Sequence, residues 1–147
     1  MNIVTLYDIL VSALANCEPA DTWAQLAYNK APTYINRADR RDGPTLDDCP
    51  CCAFTPLSKE MSQESRKIYH DFQLDTMVYD ETSAGFENLE IFRKHLQDVL
   101  VASINTMNLE MVDVTLEYEV AESFPFLWCG MRMRFLESIT MGTDPLA

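Results

Sequence analysis

The last third of the chain joins two hydrophobic patterns of different period, and this limits the possible fold more than any other feature. In residues 86–107 apolar side chains return every three or four positions, as on the buried side of an amphipathic helix. Residues 112–120 then alternate apolar and polar side chains, which is the period of a strand with one buried face. A second alternating segment spans residues 127–139. We therefore expect a long helix that packs against a sheet. The helical stripe consists of Leu89, Phe92, Leu96, Val99, Leu100, Ser103 and Met107.

The upstream segments supply a further helix and further strands. Residues 3–17 carry apolar side chains three and four positions apart, which predicts an amphipathic helix. Residues 33–37 and 51–57 predict short strands, and prolines at and before the second segment confine it to a sheet edge. Residues 66–79 alternate well and predict a longer strand, with His70 on its apolar face.

This order of elements predicts a single α+β domain over residues 1–147. The sheet is expected to be mostly antiparallel, with an N-terminal helix and one long helix packed on one face, because each strand then has one buried and one wet face. Residues 22–29 fit either a short helix or a strand. A mobile loop is expected at residues 38–48 and a loose tail at residues 141–147.

The last two strands also predict a ladder of opposite charges. If the register permits, Glu117 and Glu119 face Arg132 and Arg134 across the hairpin. Such cross-strand pairs stabilise a sheet by about 0.2–1 kcal/mol each.

The charge balance excludes some classes of partner. The 147 residues contain 11 Lys and Arg against 23 Asp and Glu, a formal net charge of −12. We therefore expect no specific nucleic-acid binding and no attraction to anionic membranes, since both need a basic surface. No uncharged apolar run of membrane-spanning length is present, and Asp8 interrupts the apolar start of the chain. No Lys or Arg precedes Lys30, which argues against a secretory signal.

The cysteines form the only cluster that suggests a metal or redox site. Cys49 and Cys52 have the spacing of half a zinc site, with Cys51 between them, but a structural zinc needs four ligands and no second pair exists. A dithiol oxidoreductase would place the pair at the start of a helix, and Pro56 follows too closely for that. We expect no metal and no cofactor, with small residues filling a strand edge. A zinc- or thiol-dependent domain built on Cys49, Cys51 and Cys52 is the alternative.

The sequence contains no recognisable catalytic set. Neither His70 nor His95 has a nearby Cys or Ser arranged as a nucleophile. The sequence also contains no nucleophile elbow, zinc-protease motif or glycine-rich phosphate loop. With four glycines in the whole chain there is little material for a phosphate cradle. We therefore do not expect an enzyme.

Two groups of apolar residues suggest contact with a partner. Phe124, Phe126 and Trp128 surround a proline in a predicted loop, and clustered aromatic residues are typical of interface anchors. The alternative is that they fold back over the end of the sheet. The second group lies opposite the buried stripe of the long helix, where polar residues are the rule. This group consists of Ile91, Val101 and Ala102.

Three stretches carry a resemblance to a known family. They are residues 50–57, residues 70–75 leading into the helix at Phe86, and residues 123–130 opening the final strand. With this order of elements the chain resembles the tail terminator, or tail-completion, proteins of long-tailed bacteriophages.

The resemblance implies a structural virion protein at the tail end or neck, assembled in the host cytoplasm. Such a protein forms a homo-oligomeric ring, usually a hexamer, that caps the tail tube and docks it to the neck of the head. Its partners are the tail tube protein and the neck or connector protein. An acidic ring interior would repel the phosphates of DNA passing through. A head–tail connector or neck protein of similar architecture remains a second interpretation.

Overall fold

A computed structural model describes residues 2–36 and 42–138, and these residues form three α-helices, one short 3-10 helix and five strands. Along the chain they are α1 (Ile3–Ala15), α2 (Glu18–Tyr28), β1 (Thr33–Tyr34), the 3-10 helix (Leu46–Asp48), β2 (Cys51–Ser62), β3 (Lys67–Tyr79), α3 (Gly85–Thr106), β4 (Glu110–Glu119) and β5 (Phe126–Ser138). The fold is α+β.

The five strands form one mixed sheet in the order β1-β2-β3-β5-β4. β1 runs parallel to β2, and the other neighbouring strands are antiparallel. The expectation of a mostly antiparallel sheet therefore describes four of the strands. The parallel strand at the edge was not foreseen. β3 lies in the centre, and its residues alternate between buried and half-buried along nearly its whole length, as the period-two pattern predicts.

The core lies between the helices and one face of the sheet. On α3, Leu89, Phe92, Leu96 and Leu100 are buried, which confirms the main part of the predicted stripe. They pack with the buried residues of α1 and with the inward-facing residues of β3 and β5. Each buried side chain of this size contributes about 1.5–3 kcal/mol relative to an exposed one. The stacked rings of Trp23 and Phe92, with centroids 5.1 Å apart, join α2 to the same core.

The N-terminal segment is two helices. The first ends at Ala15, shortly before the predicted end at residue 17, and the second includes most of residues 22–29, for which the sequence left a helix and a strand open. Asn2 caps α1, and its side chain accepts a hydrogen bond from the Val4 amide. α2 begins at Glu18 with Pro19 in its first turn, where a missing amide hydrogen costs nothing. Residues 3–28 together are long and apolar enough to cross a membrane, but the break between Ala15 and Glu18 divides them into two short helices.

The predicted boundaries in the middle of the chain differ from the structure. β2 continues to Ser62, beyond the predicted end at residue 57, because a bulge between Pro56 and Ser58 lets the strand run on past the proline. In the predicted mobile loop, residues 42–48 are described and end in the 3-10 helix, where the Thr45 hydroxyl donates to Asp48. Residues 37–41 and the predicted loose tail lie outside the described residues.

The charged ladder predicted between the last two strands is wrong in its register. Glu117 lies opposite Gly130 and Glu119 opposite Trp128, while Arg132 faces Thr115. Burial of the apolar row of each strand fixes which face is inward, and weak charge pairs do not select the register.

Candidate interaction surfaces

The sheet has one covered side and one open side, and the candidate contacts divide between the open side, the back of α3 and the outer edge strand. Most of the buried residues of the three helices belong to the core on the covered side. We call the other side the open face. Its central positions are Asp71, Gln73, Asp75, Met77 and Tyr79 of β3 and Phe126, Trp128, Gly130, Arg132 and Arg134 of β5.

Trp128 lies across the open face and is not part of a loop. Its indole nitrogen donates a hydrogen bond to the Asp75 carboxylate over 3.0 Å, and the Gln73 side-chain amide donates to the same oxygen over 2.8 Å. The ring covers Gly130 so closely that a Cβ there would meet a Trp128 ring carbon at 2.5 Å. Glycine at position 130 is therefore required by the ring and not by the backbone conformation.

The other two predicted aromatic anchors differ in exposure. Phe126 opens β5 and packs edge-on against Tyr79, with ring centroids 4.9 Å apart. It also contacts a small second core on the open face, formed by Ile35, Cys49, Cys51 and Ala53. Phe124 lies in the connection before β5 and is 56% exposed. Phe126 and Trp128 thus pack back onto the sheet, which is close to the alternative interpretation of these aromatic residues. Phe124 projects into solvent.

A pocket of about 440 Å³ lies on the open face beside Trp128. Met77, Cys51 and Ala53 supply apolar walls, and Asp75 supplies a carboxylate. Its volume falls within the usual range for a small-molecule or side-chain pocket, about 300–1,000 Å³.

The cysteine cluster is divided by the sheet. Cys51 lies on the open face and Cys52 on the covered face, because neighbouring residues of a strand point to opposite sides. The sulfur atoms of Cys49 and Cys51 lie 3.9 Å apart. Contact with the Cys49 thiol and burial raise the pKa of Cys51. The structure therefore brings together two thiols, and the CxxC pair of Cys49 and Cys52 does not share a site.

No metal-ligand cluster forms elsewhere in the described parts of the chain. Within residues 2–36 and 42–138, no three His, Cys, Asp or Glu side chains come together in a geometry that could hold a metal ion.

The far end of the open face carries an ion-pair network that the sequence analysis missed. The Arg134 guanidinium donates to both carboxylate oxygens of Asp71, over 2.8 and 3.0 Å, and lies 3.1 Å from a Glu60 oxygen. The same guanidinium lies 4.8 Å from the centre of the Tyr69 ring. The hydrogen bond from Arg134 is the main cause that lowers the pKa of Asp71. The alternation of Arg132 and Arg134 along one strand was a sequence signal for this network. The prediction paired them with Glu117 and Glu119, whereas Arg134 binds Asp71 of β3.

Among the polar side chains buried on the covered side, His70 and Asp80 differ in how their polar atoms are satisfied. His70 is fully buried, and its ring nitrogens have no hydrogen-bond partner among the described residues. A Glu137 oxygen lies 3.5 Å from Nε2, and burial lowers the pKa of His70. Asp80 accepts hydrogen bonds from Tyr28 over 2.7 Å and from the Thr82 amide over 2.8 Å. Burial would raise the pKa of Asp80, but these hydrogen bonds outweigh it and lower the pKa.

The back of α3 holds the second predicted group of interface residues. Ile91 and Val101 are half-buried and Ala102 is exposed, and all three lie on the side of the helix away from the sheet. Charged pairs surround them, such as Lys94 with Asp98 at 2.6 Å. The back of α3 and the open face are therefore opposite surfaces of the two-layer fold.

The edge strand β4 exposes apolar residues that its pattern predicted to be buried. Val114 is 39% exposed and Tyr118 is 38% exposed, although both point to the covered side of the sheet. The reason is that α3 packs chiefly over β3 and β5 and leaves the outermost strand largely uncovered. Phe86 extends this apolar strip, with its ring 5.6 Å from that of Tyr118.

Comparison with protein-family models and with curated protein sequences finds no match for this chain.

Proposed function

We propose that this chain is a structural protein that assembles into a homo-oligomeric ring. The observation that carries the proposal is the position of its two candidate contact groups. Trp128 belongs to the open face, Phe124 projects into solvent from the connection just before β5, and Ala102 lies on the back of α3. A ring is built from a head-to-tail contact, which joins two different surfaces of the same chain. Two apolar groups on opposite sides of one fold suit that geometry, whereas a two-fold dimer needs only one surface.

The resemblance to tail terminator proteins gives the ring its role in this proposal. A hexameric ring would cap the tail tube of a long-tailed bacteriophage and dock it to the neck, in the virion. The net charge of −12 suits a ring through which DNA passes, because like charges keep the phosphates from adhering. A connector ring in the neck is the second role compatible with the same architecture.

Phe124→Ala tests the contact with little risk to the fold. The side chain is more than half exposed, so its removal should leave the thermal unfolding temperature nearly unchanged. If Phe124 is an interface anchor, assembly should weaken by about thirtyfold or more, since anchor residues contribute about 2 kcal/mol or more. Native mass spectrometry across a concentration series measures the ring population.

Leu26→Ala is the matched control, since Leu26 is 85% exposed on α2 and belongs to neither contact group. It should leave assembly unchanged. An equal effect of both substitutions would count against the proposed contact. A wild-type chain that stays monomeric up to millimolar concentration would contradict the self-assembling ring itself.

A further inference from the structure

The two long edges of the sheet differ in how they are protected. β1 pairs with β2 only at Cys51 and Cys52, so most of β2 is also an edge. That part of β2 contains Pro56, a bulge after it and Lys59. Proline, bulges and lysine are the devices by which natural sheets prevent another strand from adding to an edge.

The β4 edge lacks these devices over its regular part. Its one irregularity lies between Met111 and Asp113, and from Asp113 to Glu119 the strand pairs with β5 without interruption. This stretch contains no proline and no lysine. No strand among the described residues pairs with its outer side. Outward backbone amide and carbonyl groups of alternate residues along this stretch of about seven residues are therefore available for another strand.

The side chains of the β4 edge define what such a strand should carry. On the open-face side the edge presents Asp113, Glu117 and Glu119, and on the other side it presents exposed Val114 and Tyr118. Side chains of an added strand would lie directly beside these, where opposite charges attract and like charges repel. Complementarity therefore requires basic residues on one face of the added strand and apolar residues on the other.

We propose that the β4 edge binds an extended segment of a partner protein in which basic and apolar side chains alternate. A second copy of β4 does not fit this description, because pairing with itself would set acidic residues against acidic residues. The site adjoins one surface of the proposed ring, since Glu119 lies opposite Trp128, but strand addition uses the outer backbone edge of β4 and does not require ring formation. Backbone hydrogen bonds supply the affinity in this mode, and the alternating side chains supply the specificity.

A set of three labelled peptides tests the proposal on the full-length chain. The first alternates Lys and Val over nine residues, the second has the same composition with Lys and Val in separate blocks, and the third alternates Glu and Val. Fluorescence anisotropy should give at least tenfold tighter binding for the first peptide than for the other two. Equal binding of the first two would mean simple charge attraction and would overturn strand addition.

Charge reversal on the edge provides the second arm. The double variant Glu117→Lys, Glu119→Lys should bind the Lys-Val peptide at least tenfold more weakly and should now prefer the Glu-Val peptide. Asp8→Lys with Glu64→Lys makes the same change in net charge at exposed positions away from the edge, and it should retain the original preference. Equal peptide preference in the two double variants would overturn the assignment to β4.

Hydrogen exchange locates the bound peptide. Amides of residues 113–119 should gain protection when the Lys-Val peptide binds, and protection confined to other parts of the chain would reject the proposal. Native mass spectrometry of the Glu117→Lys, Glu119→Lys variant reads ring formation separately, so loss of one property does not imply loss of the other.

Discussion

The two faces of the sheet are built from the same strands but hold together in different ways. On the covered face, Phe72 and Leu74 are fully buried in a continuous apolar core. On the open face, the intervening Asp71 and Asp75 are half-buried and make specific polar contacts with β5. Alternation thus assigns residues to faces, but it does not say what the outward residues bind. The covered face depends on volume and burial, and the open face depends on which residues the strand register sets side by side.

The largest difference should come from truncating a ring on the covered face. Phe72 stacks on Phe54 with centroids 4.9 Å apart and contacts Phe135 at 5.7 Å. We expect Phe72→Ala to lower the free energy of unfolding by about 3–5 kcal/mol, because a buried cavity remains. Urea unfolding measures this. Gln73→Ala, one residue along on the open face, should cost far less, and similar losses would refute the contrast between the faces.

An intermediate effect should come from filling the space under Trp128. Gly130→Ala places a methyl group where the indole lies, so the ring must lift and break its hydrogen bond to Asp75. We expect a loss of about 1–3 kcal/mol in the free energy of unfolding, as in other overpacked sites.

A double-mutant cycle isolates that contact. In a Trp128→Ala background, Gly130→Ala should cost almost nothing, because the ring is no longer there to clash. Strictly additive costs in urea unfolding would show that the glycine is needed for another reason.

The smallest of these effects should come from His70, the exception on the covered face. Its buried ring nitrogens have no hydrogen-bond partner within residues 2–36 and 42–138, so His70→Leu should raise the free energy of unfolding by about 1 kcal/mol. Burial lowers the pKa of His70 in the folded chain, although Glu137 opposes this and Lys59 adds to it. The unfolded chain therefore takes up a proton first as the pH falls below about 6.5.

This proton uptake gives the His70 prediction a second measurement. The free energy of unfolding of the wild-type chain should decline as the pH falls below about 6.5, because the unfolded chain then binds a proton that the neutral, buried His70 does not. The decline from this residue should end at the lower pKa that His70 has in the folded chain. In His70→Leu this part of the decline should disappear. An unchanged slope of stability against pH between about 5 and 7 would exclude His70 as its source.

Periodicity was enough to predict the long helix and the three long strands from β3 onward, because burial of one face imposes it directly. It could not reveal that β4 lies at an edge, since an exposed and a covered strand alternate alike. Pro56 suggested that β2 ends early. The bulge that lets the strand continue past this proline cannot be recognised in the sequence pattern. The separation of Cys51 from Cys52 could have been inferred, since neighbouring residues in a strand point to opposite faces.

The central seam of the sheet also bears on how the chain folds in time. β3 pairs on one side with its neighbour in sequence, β2, and on the other with β5, where Asp71 and Arg134 are 63 residues apart. Closing such a long loop is slow compared with forming a hairpin. We expect pulsed hydrogen exchange during refolding to protect β2 and β3 before β5, and simultaneous protection would contradict this order. Until β5 arrives, one side of β3 is an unpaired strand, so refolding yield should fall as protein concentration rises.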